Sequence, residues 1–106
     1  MIESRRNLQI ELQRILGSSQ VYFQPPENVR IQYPCFVYSF DNVDTRFGND
    51  KIYKAMDRYT ITHIYGRVSD ANLVDDVLSL PYASFDRSYV SDSLYHDVYT
   101  IYVLHE

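Results

Sequence analysis

The segment SFDRSYVSDSLYHD, Ser84–Asp97, carries the residue types that hydrolytic enzymes use: serine, aspartate, arginine and histidine within fourteen residues. One interpretation is a small hydrolytic or ligand-binding domain in which His96 activates Ser84. Acyl-transfer enzymes also need an oxyanion-binding loop, often a Gly-x-Ser-x-Gly turn. The chain has only three glycines and no such motif. We therefore predict that the protein is not an enzyme.

The same segment has a simpler structural interpretation. Asp86 and Arg87 have the charges for pairing with a neighbouring group. Asp92 and Ser93 are residue types that bond local backbone in turns. We favour this structural account over the hydrolytic one.

Metal and cofactor chemistry is also disfavoured. The three histidines are His63, His96 and His105, and the single cysteine is Cys35. No His-x-x-x-His or Cys-x-x-Cys spacing occurs, so a zinc site would have to gather ligands from distant strands. Cys35 follows a proline at a strand start, where a small buried hydrophobe is its expected role. The single glycine of RFGND cannot form a phosphate-binding loop. We predict no metal and no cofactor.

Composition describes one soluble globular domain, residues 1–106, with 45% hydrophobic and 23% charged residues. The net charge of −4 and the lack of a basic cluster disfavour nucleic-acid binding, which needs several cations on one face. No apolar run reaches membrane-spanning length, so no membrane partner is expected. Eleven tyrosines and no tryptophan suit half-buried sheets and protein interfaces.

Helical spacing of apolar residues predicts a first helix between an N-cap at Ser4 and a left-handed Gly17. Its buried stripe comprises Leu8, Leu12, Ile15 and Leu16. Arg5 and Arg6 fall in the first turn, where positive charge opposes the helix dipole. They are either a solvated tip or a contact for an acidic partner. A second helix is predicted from Asp70 to Ser79, capped by Ser69 or Asp70.

Alternating and β-branched residues predict the strands. A short strand, VYFQ, ends at Pro25 and Pro26. The next strand, from Cys35 to Phe40, has apolar residues on both faces, which indicates either a central strand covered on both sides or a strand whose outer face meets another subunit. Asp41–Asp50 is predicted to be a polar loop that projects from a hairpin with the strand Lys51–Tyr65. Two further strands, around Ser84–Val90 and His96–His105, complete the prediction. The order predicts an α+β fold, a mostly antiparallel sheet with two helices on one face.

Ordered motifs along the chain resemble a known family. VYFQPPENVRIQYPCFVYSFDNVDTRF is followed by DKIYKAMDRYTIT and then by LPYASFDRSYVSDSLYHDVYTIY. This series resembles the tail-completion, or tail-terminator, proteins of tailed bacteriophages from Val21 onward. The chain departs from the family at HIYGRVSD, where members often have an acidic, proline-containing turn, and at Tyr95, where many have asparagine.

The resemblance implies a structural virion protein. It implies a homo-oligomeric ring, expected to be a hexamer, that caps the head-proximal end of the tail tube and ends its polymerisation. Partners would be the tail-tube protein and the head–tail connector or neck proteins. Genome DNA would pass through the lumen without sequence-specific binding, which suits the negative net charge. The expected location is the tail or neck of the virion, after assembly in the cytoplasm of the bacterial host.

Three groups of residues are expected at protein interfaces. The first is a rigid patch with few backbone donors, the second is the tip of the projecting loop, and the third supplies charge pairs near the subunit boundary. In that order they comprise Pro25, Pro26 and Tyr33; Arg46 and Phe47; and Asp86, Arg87, Tyr95, His96 and Asp97. Ordinary maintenance of the fold is the alternative role for each. A head-side neck protein is the alternative function within the structural class.

Overall fold

A computed structural model describes residues 1–48 and 51–105, with the backbone alone described at 46–48, 51–54 and 71. These residues form a helix-and-sheet domain in the predicted element order. The elements are α1 (Arg5–Leu16), β1 (Val21–Phe23), β2 (Cys35–Gly48), β3 (Lys51–Tyr65), a 3₁₀ helix (Val68–Leu73), α2 (Val74–Leu78), β4 (Ala83–Ser91) and β5 (Leu94–Leu104). The predicted α+β class is confirmed.

The described strands form one sheet in the order β1-β2-β3-β5-β4. β1 runs parallel to β2, and the other neighbouring pairs are antiparallel. The predicted short strand β1 therefore lies at one edge and β4 at the other. The 3₁₀ helix and α2 connect β3 to β4 across the intervening β5.

Helix α1 begins and ends where its capping residues predict. The Ser4 hydroxyl accepts a hydrogen bond from the Asn7 backbone N–H at 3.1 Å, and Gly17 adopts φ 77°. Glycine takes this left-handed conformation without steric cost. Of the predicted stripe, Leu8 and Leu12 are fully buried. Ile15 and Leu16 complete the contact with the core.

Arg5, in the first turn of α1, contacts its own chain. Its Nη1 donates to the Tyr38 hydroxyl at 3.0 Å, and its guanidinium lies 4.4 Å from the centre of the Phe23 ring. The Tyr38 hydroxyl in turn donates to Gln9 Oε1 at 2.6 Å. The helix is thereby joined to β2 by hydrogen bonds as well as by apolar packing.

The second helix differs from the prediction of an α-helix capped by Ser69 or Asp70. Both residues lie inside a 3₁₀ helix, and α2 begins only at Val74, without a side-chain cap. Asparagine, aspartate and valine have low helix propensity, which favours a short, tight turn over a long helix here. The apolar residues of this segment nevertheless face the core, because Val77 and Leu80 are buried and Leu73 packs against the core.

The prediction of a polar loop at Asp41–Asp50 was wrong for the part that the structure describes. β2 continues to Gly48, paired with β3, with register shifts between Phe40 and Asn42 and between Arg46 and Phe47. Pairing with a long partner strand overrides the low strand propensity of the aspartates and asparagine. Arg46 and Phe47 lie in this strand, with side chains outside the described part. Asn49 and Asp50 also lie outside it.

In the described chain, helices pack on only one of the two faces of the sheet. On one face, rings and aliphatic side chains of β2, β3 and β5 pack with α1, α2 and Leu80 into the core. We call this the covered face. The opposite face, which we call the open face, has no helix over it in the described chain. The core packing between helices and sheet sets the stability of the domain.

Replacement of Leu12 with alanine should therefore lower the free energy of unfolding by about 2–5 kcal/mol, because it leaves a cavity under α1. The matched control is Ile10→Ala on the same helix. Ile10 is 53% exposed, so its replacement should cost less than about 1 kcal/mol. Urea unfolding followed by circular dichroism measures both values. Equal losses for the two variants would contradict this packing.

Candidate functional site

The open face presents a polar and aromatic surface. β3 contributes Arg58, Thr60 and Thr62, and the paired positions of β5 are Tyr102, Thr100 and Val98. All but Val98, which is 4% exposed, are partly exposed. Threonine, arginine and tyrosine thus dominate the open face between β3 and β5. Such a surface can contact a partner through both rings and hydrogen bonds.

Two strand bulges, one in β2 and one in β4, each contain an aspartate that accepts a hydrogen bond from a side chain of the open face. Asp41 lies in the register shift of β2, and its Oδ2 accepts from Arg58 Nε at 2.7 Å. Asp86 lies in the register shift of β4, and its Oδ2 accepts from Thr100 Oγ1 at 2.7 Å. A bulge re-aims the side chain of the extra residue. The hydrogen bonds that Arg58 donates to Tyr102 and Asp41 raise its pKa, so the guanidinium stays charged.

Arg87, Tyr89 and His96 form a stack on the open face beside Asp86. The Tyr89 and His96 rings are nearly parallel, at 9°, with centres 4.6 Å apart. The Arg87 guanidinium lies 5.7 Å from the Tyr89 ring centre. His96 Nδ1 donates to the Leu94 carbonyl oxygen at 3.1 Å. The structure thus brings together three of the predicted interface residues, Asp86, Arg87 and His96, on one surface.

The alternative pairing of Ser84 with His96 is not supported by the strand register. Ser84 lies opposite Thr100, four residues along β5 from His96. At a strand rise of about 3.3 Å per residue, this separation is about 13 Å. A hydroxyl and its general base need to approach to about 3 Å.

Asp97 and Tyr95 lie on the covered face, on the opposite side of the sheet from Asp86. Asp97 is 3% exposed, and its carboxylate accepts from the Tyr65 hydroxyl at 2.9 Å and from Ser88 Oγ at 2.7 Å. The Tyr95 ring stacks on Tyr65 at 5.3 Å. The expected charge pair between Asp97 and a neighbouring subunit is therefore corrected to an internal bond, because alternation along β5 turns Asp97 inward.

Burial raises the pKa of Tyr65 to about 12, and the hydrogen bond to Asp97 acts in the same direction. The phenol therefore remains protonated at neutral pH and keeps donating to Asp97. This bond and the one from Ser88 link β3, β5 and β4 through one carboxylate. They hold the edge strand against the body of the sheet.

His63 lies two residues before Tyr65 on the covered face and is fully buried between Phe36 and Tyr65. Neither ring nitrogen has a hydrogen-bond partner among the described residues. The ring borders a cavity of about 170 Å³ beneath the 3₁₀ helix, lined also by Asp70 and Pro34. Burial lowers the pKa of His63 to about 4, although the charges of Asp97 and Asp70 oppose that shift.

The sequence signal for this site is the position of His63 in the alternation Tyr59–Ile61–His63–Tyr65, whose other members are apolar or aromatic. That pattern indicates burial. It does not reveal that the nitrogens lack partners, which depends on residues distant in the chain.

The proline patch lies where β1 ends. Gln24, in a left-handed conformation at φ 43°, donates its backbone N–H to the Tyr38 carbonyl oxygen, and its side-chain Oε1 accepts from the Phe40 backbone N–H at 2.9 Å. Gln24 thus continues the pairing with β2 beyond Phe23. Pro25 and Pro26 follow with no donors to offer. Tyr33, at the far end of the loop, is 48% exposed.

The remaining chemical expectations concern metals, thiols and membranes. The described residues contain no cluster of metal-binding side chains. Cys35 is buried, and burial raises its pKa to about 12. Within the described chain, no helix has the length and apolar character needed to cross a membrane. The chain matches no protein-family model and no curated protein.

Replacement of His63 with phenylalanine should remove one acid-sensitive contribution to stability. The unfolded chain protonates His63 near pH 6.5 and the folded chain only near pH 4, so protons favour unfolding between these values. Above pH 6.5 this effect takes nothing from the free energy of unfolding. As the pH falls to 4, it lowers the free energy of unfolding by about 3 kcal/mol at most. Urea unfolding at pH 7, 5.5 and 4 measures it.

The wild type should therefore lose more stability than His63→Phe over this range. His96→Phe, a matched change on the open face, should retain the pH dependence of the wild type. Parallel pH curves for the wild type and His63→Phe would contradict the assignment to His63.

Replacement of Asp97 with asparagine should lower the free energy of unfolding by about 2–3 kcal/mol, because the amide turns an N–H₂ donor towards one of two hydroxyl donors in a buried site. The control is Asp86→Asn, which changes an exposed aspartate on the neighbouring strand and should cost less than about 1 kcal/mol. Thermal or urea unfolding measures both. A larger loss for Asp86→Asn would show that Asp97 is not the internal link described above.

Proposed function

We propose that this protein is a structural component of a phage virion that assembles as a six-membered ring at the head-proximal end of the tail tube. The ring ends polymerisation of the tube and joins the tail to the head connector. In this proposal the protein has no catalytic activity and functions in the tail or neck of the virion.

The observation that carries the proposal is the order of motifs along the chain, which resembles the tail-completion family from Val21 onward. The α+β fold is consistent with the resemblance, which implies an α+β domain. The open face adds support, because it leaves arginine, tyrosine and histidine side chains available for contacts between proteins. The candidate catalytic pair, Ser84 and His96, is too far apart to favour a hydrolase.

Charge is consistent with a conduit for DNA. The chain has 14 acidic and 10 basic residues. A ring of such subunits repels phosphates on average, so DNA passes through it without being held. The repulsion depends on the total charge of the ring rather than on any single residue.

Sedimentation velocity of the purified protein, alone and with its tail-tube protein, tests the proposal. Six copies of the 12.6 kDa chain should give a ring of about 76 kDa, alone or on the tube. Electron microscopy should then show a ring at one end of each tube and no further growth there. A protein that stays monomeric and never binds tube would contradict the proposal.

A head-side neck protein is the second candidate, because it shares the size and the ring symmetry. Parallel pull-downs against purified tube and connector proteins separate the two. Binding to connector alone would favour the neck position, whereas binding to tube favours the tail terminus.

A further inference from the structure

We propose that the free protein forms a two-fold dimer in which the outer edge of β4 pairs antiparallel with the same edge of a second copy. The paired stretch is Arg87–Ser91, and Tyr89 lies on the two-fold axis. The inference concerns the protein before it meets any partner, so it does not rest on the proposed function. Three features carry it: an unpaired edge, outward-facing backbone groups at alternate residues, and side chains that complement those of a second copy.

The outer edge of β4 is unpaired in the described sheet. β4 is nine residues long, and β5 is its one neighbour there. The residues from Ser84 to Ser91 are all exposed. Among the described residues, no turn, loop or side chain bonds to the backbone of Arg87–Ser91 on its outer side. The bulge at Asp86 ends the regular stretch, and an uncovered edge of this kind is a template for a further strand.

The backbone of this stretch has outward-facing groups at two residues. The turn Asp92–Ser93, with φ 52° and 64°, joins β4 and β5 at the pair Ser91–Leu94. A two-residue turn of this kind is flanked by a hydrogen-bonded pair, and pairs with and without hydrogen bonds then alternate along the strands. Val90 and Ser88 therefore belong to pairs without hydrogen bonds to β5. Their N–H and C=O groups point away from β5.

One register pairs the whole regular stretch with itself. Outward-facing residues of the two strands must lie opposite each other, because they exchange the N–H···O=C bonds of an antiparallel pair. Placing Ser88 opposite Val90 of the second copy satisfies this at both ends and puts Tyr89 opposite Tyr89. An axis at Ser88 would draw the bulged Asp86 into the contact, and an axis at Val90 would draw in the turn residue Asp92.

The aromatic side chain at the centre favours this register. Tyr89 is 42% exposed on the open face, and its ring already stacks on His96 at 4.6 Å. Opposite residues of a pair without hydrogen bonds have their Cα atoms about 4.5 Å apart, so the two Tyr89 side chains meet across the axis. Cross-strand aromatic pairs stabilise antiparallel strands. Because each ring is already stacked, it loses little conformational freedom on contact.

Charges at the ends of the stretch are also complementary. In this register Arg87 lies opposite Ser91 of the second copy, one residue from Asp92 of that copy. Among the described residues of a single copy, neither Arg87 nor Asp92 has an ion-pair partner. The two-fold axis repeats this arrangement at both ends, so the contact brings two cations towards two carboxylates. Opposite charges on adjacent strands favour the pairing.

The other edge strand is a poorer partner for β4. β1 has three residues and is followed closely by Pro25 and Pro26, so it offers few donors to a neighbour. A two-fold contact uses one patch on both copies, so the dimer closes and adds no further copies. Its copies must therefore separate before they enter the proposed ring, because a ring with a single six-fold axis needs two different patches on each copy.

The first test is sedimentation velocity of the protein alone over a range of concentrations. The wild type should form a dimer of about 25 kDa from its 12.6 kDa chains. Val90→Pro removes the outward N–H without removing a hydrogen bond to β5, whereas Val90→Ala keeps that N–H. Val90→Pro should raise the dissociation constant at least about tenfold, because each dimer loses two hydrogen bonds, and Val90→Ala should change it less.

Circular dichroism confirms that each variant is folded. A wild type that is monomeric at every concentration would overturn the inference, and so would equal effects of the two variants.

The second test is disulfide cross-linking, which does not depend on the proline variant folding. Tyr89→Cys alone should form a linked dimer on oxidation, because this position pairs with itself within disulfide range. Arg87→Cys alone and Ser91→Cys alone are the matched controls, since each lies about 13 Å from the same position across the axis. A mixture of these two variants should link again. Buried Cys35 stays in place as a common background.

The outcomes separate this inference from the proposed function. A linked dimer of Arg87→Cys alone, or none of Tyr89→Cys, overturns the inference. A free protein that stays monomeric yet forms rings on tube overturns the dimer and leaves the function standing. A dimer linked through Tyr89→Cys whose wild-type protein never adds to tube supports the inference and overturns the function. Rings that form without tube and without the Tyr89→Cys cross-link overturn the dimer and support the function.

Discussion

Strand β3 is paired on both sides, with β2 and with β5, and this constraint determines the rest of the structure. A strand hydrogen-bonded on both edges cannot rotate, so its side chains must alternate strictly between the two faces. Tyr59, Ile61 and His63 point to the helices, and Arg58, Thr60 and Thr62 to the open face. The helices can cover only one of these faces. The chemistry of the open face is therefore fixed by every second residue of β3 and of its neighbours.

The polar groups on the covered face follow from the same alternation. Asp97 is opposite His63 in the register, and it lies among rings because its neighbours Val98 and His96 point the other way. Its carboxylate is satisfied by two hydroxyl groups from different strands. In the described part of the chain His63 has no such partners, and it instead borders a cavity. Asp97 thus links three strands through hydrogen bonds, whereas His63 stays buried as a neutral ring.

Local signals in the sequence predicted much of the fold. Helix α1 was predicted with both caps, because the hydroxyl of Ser4 and the flexibility of Gly17 act within a few residues. The edge position of β1 followed from Pro25 and Pro26. The β2 extension was missed because its strand character comes from pairing with β3 rather than from its own polar residues. That Asp86 and Asp97 lie on opposite faces of the sheet was not predicted, because a strand bulge, which shifts the alternation of β4, has no reliable signature in one sequence.

That bulge has a consequence for which side chain meets the buried carboxylate. With Asp86 as the extra residue, Ser88 faces Asp97 and Arg87 faces the open side. In an uninterrupted strand the same count would place Arg87 opposite Asp97 and turn Ser88 outward. The extra residue thus reverses the alternation of the residues that follow it. As a result, a neutral donor faces the interior and a cation stays at the surface. Substitutions at Asp86 preserve this alternation, whereas straightening the strand with Asp86 still in it would exchange the inside and the outside of half a strand.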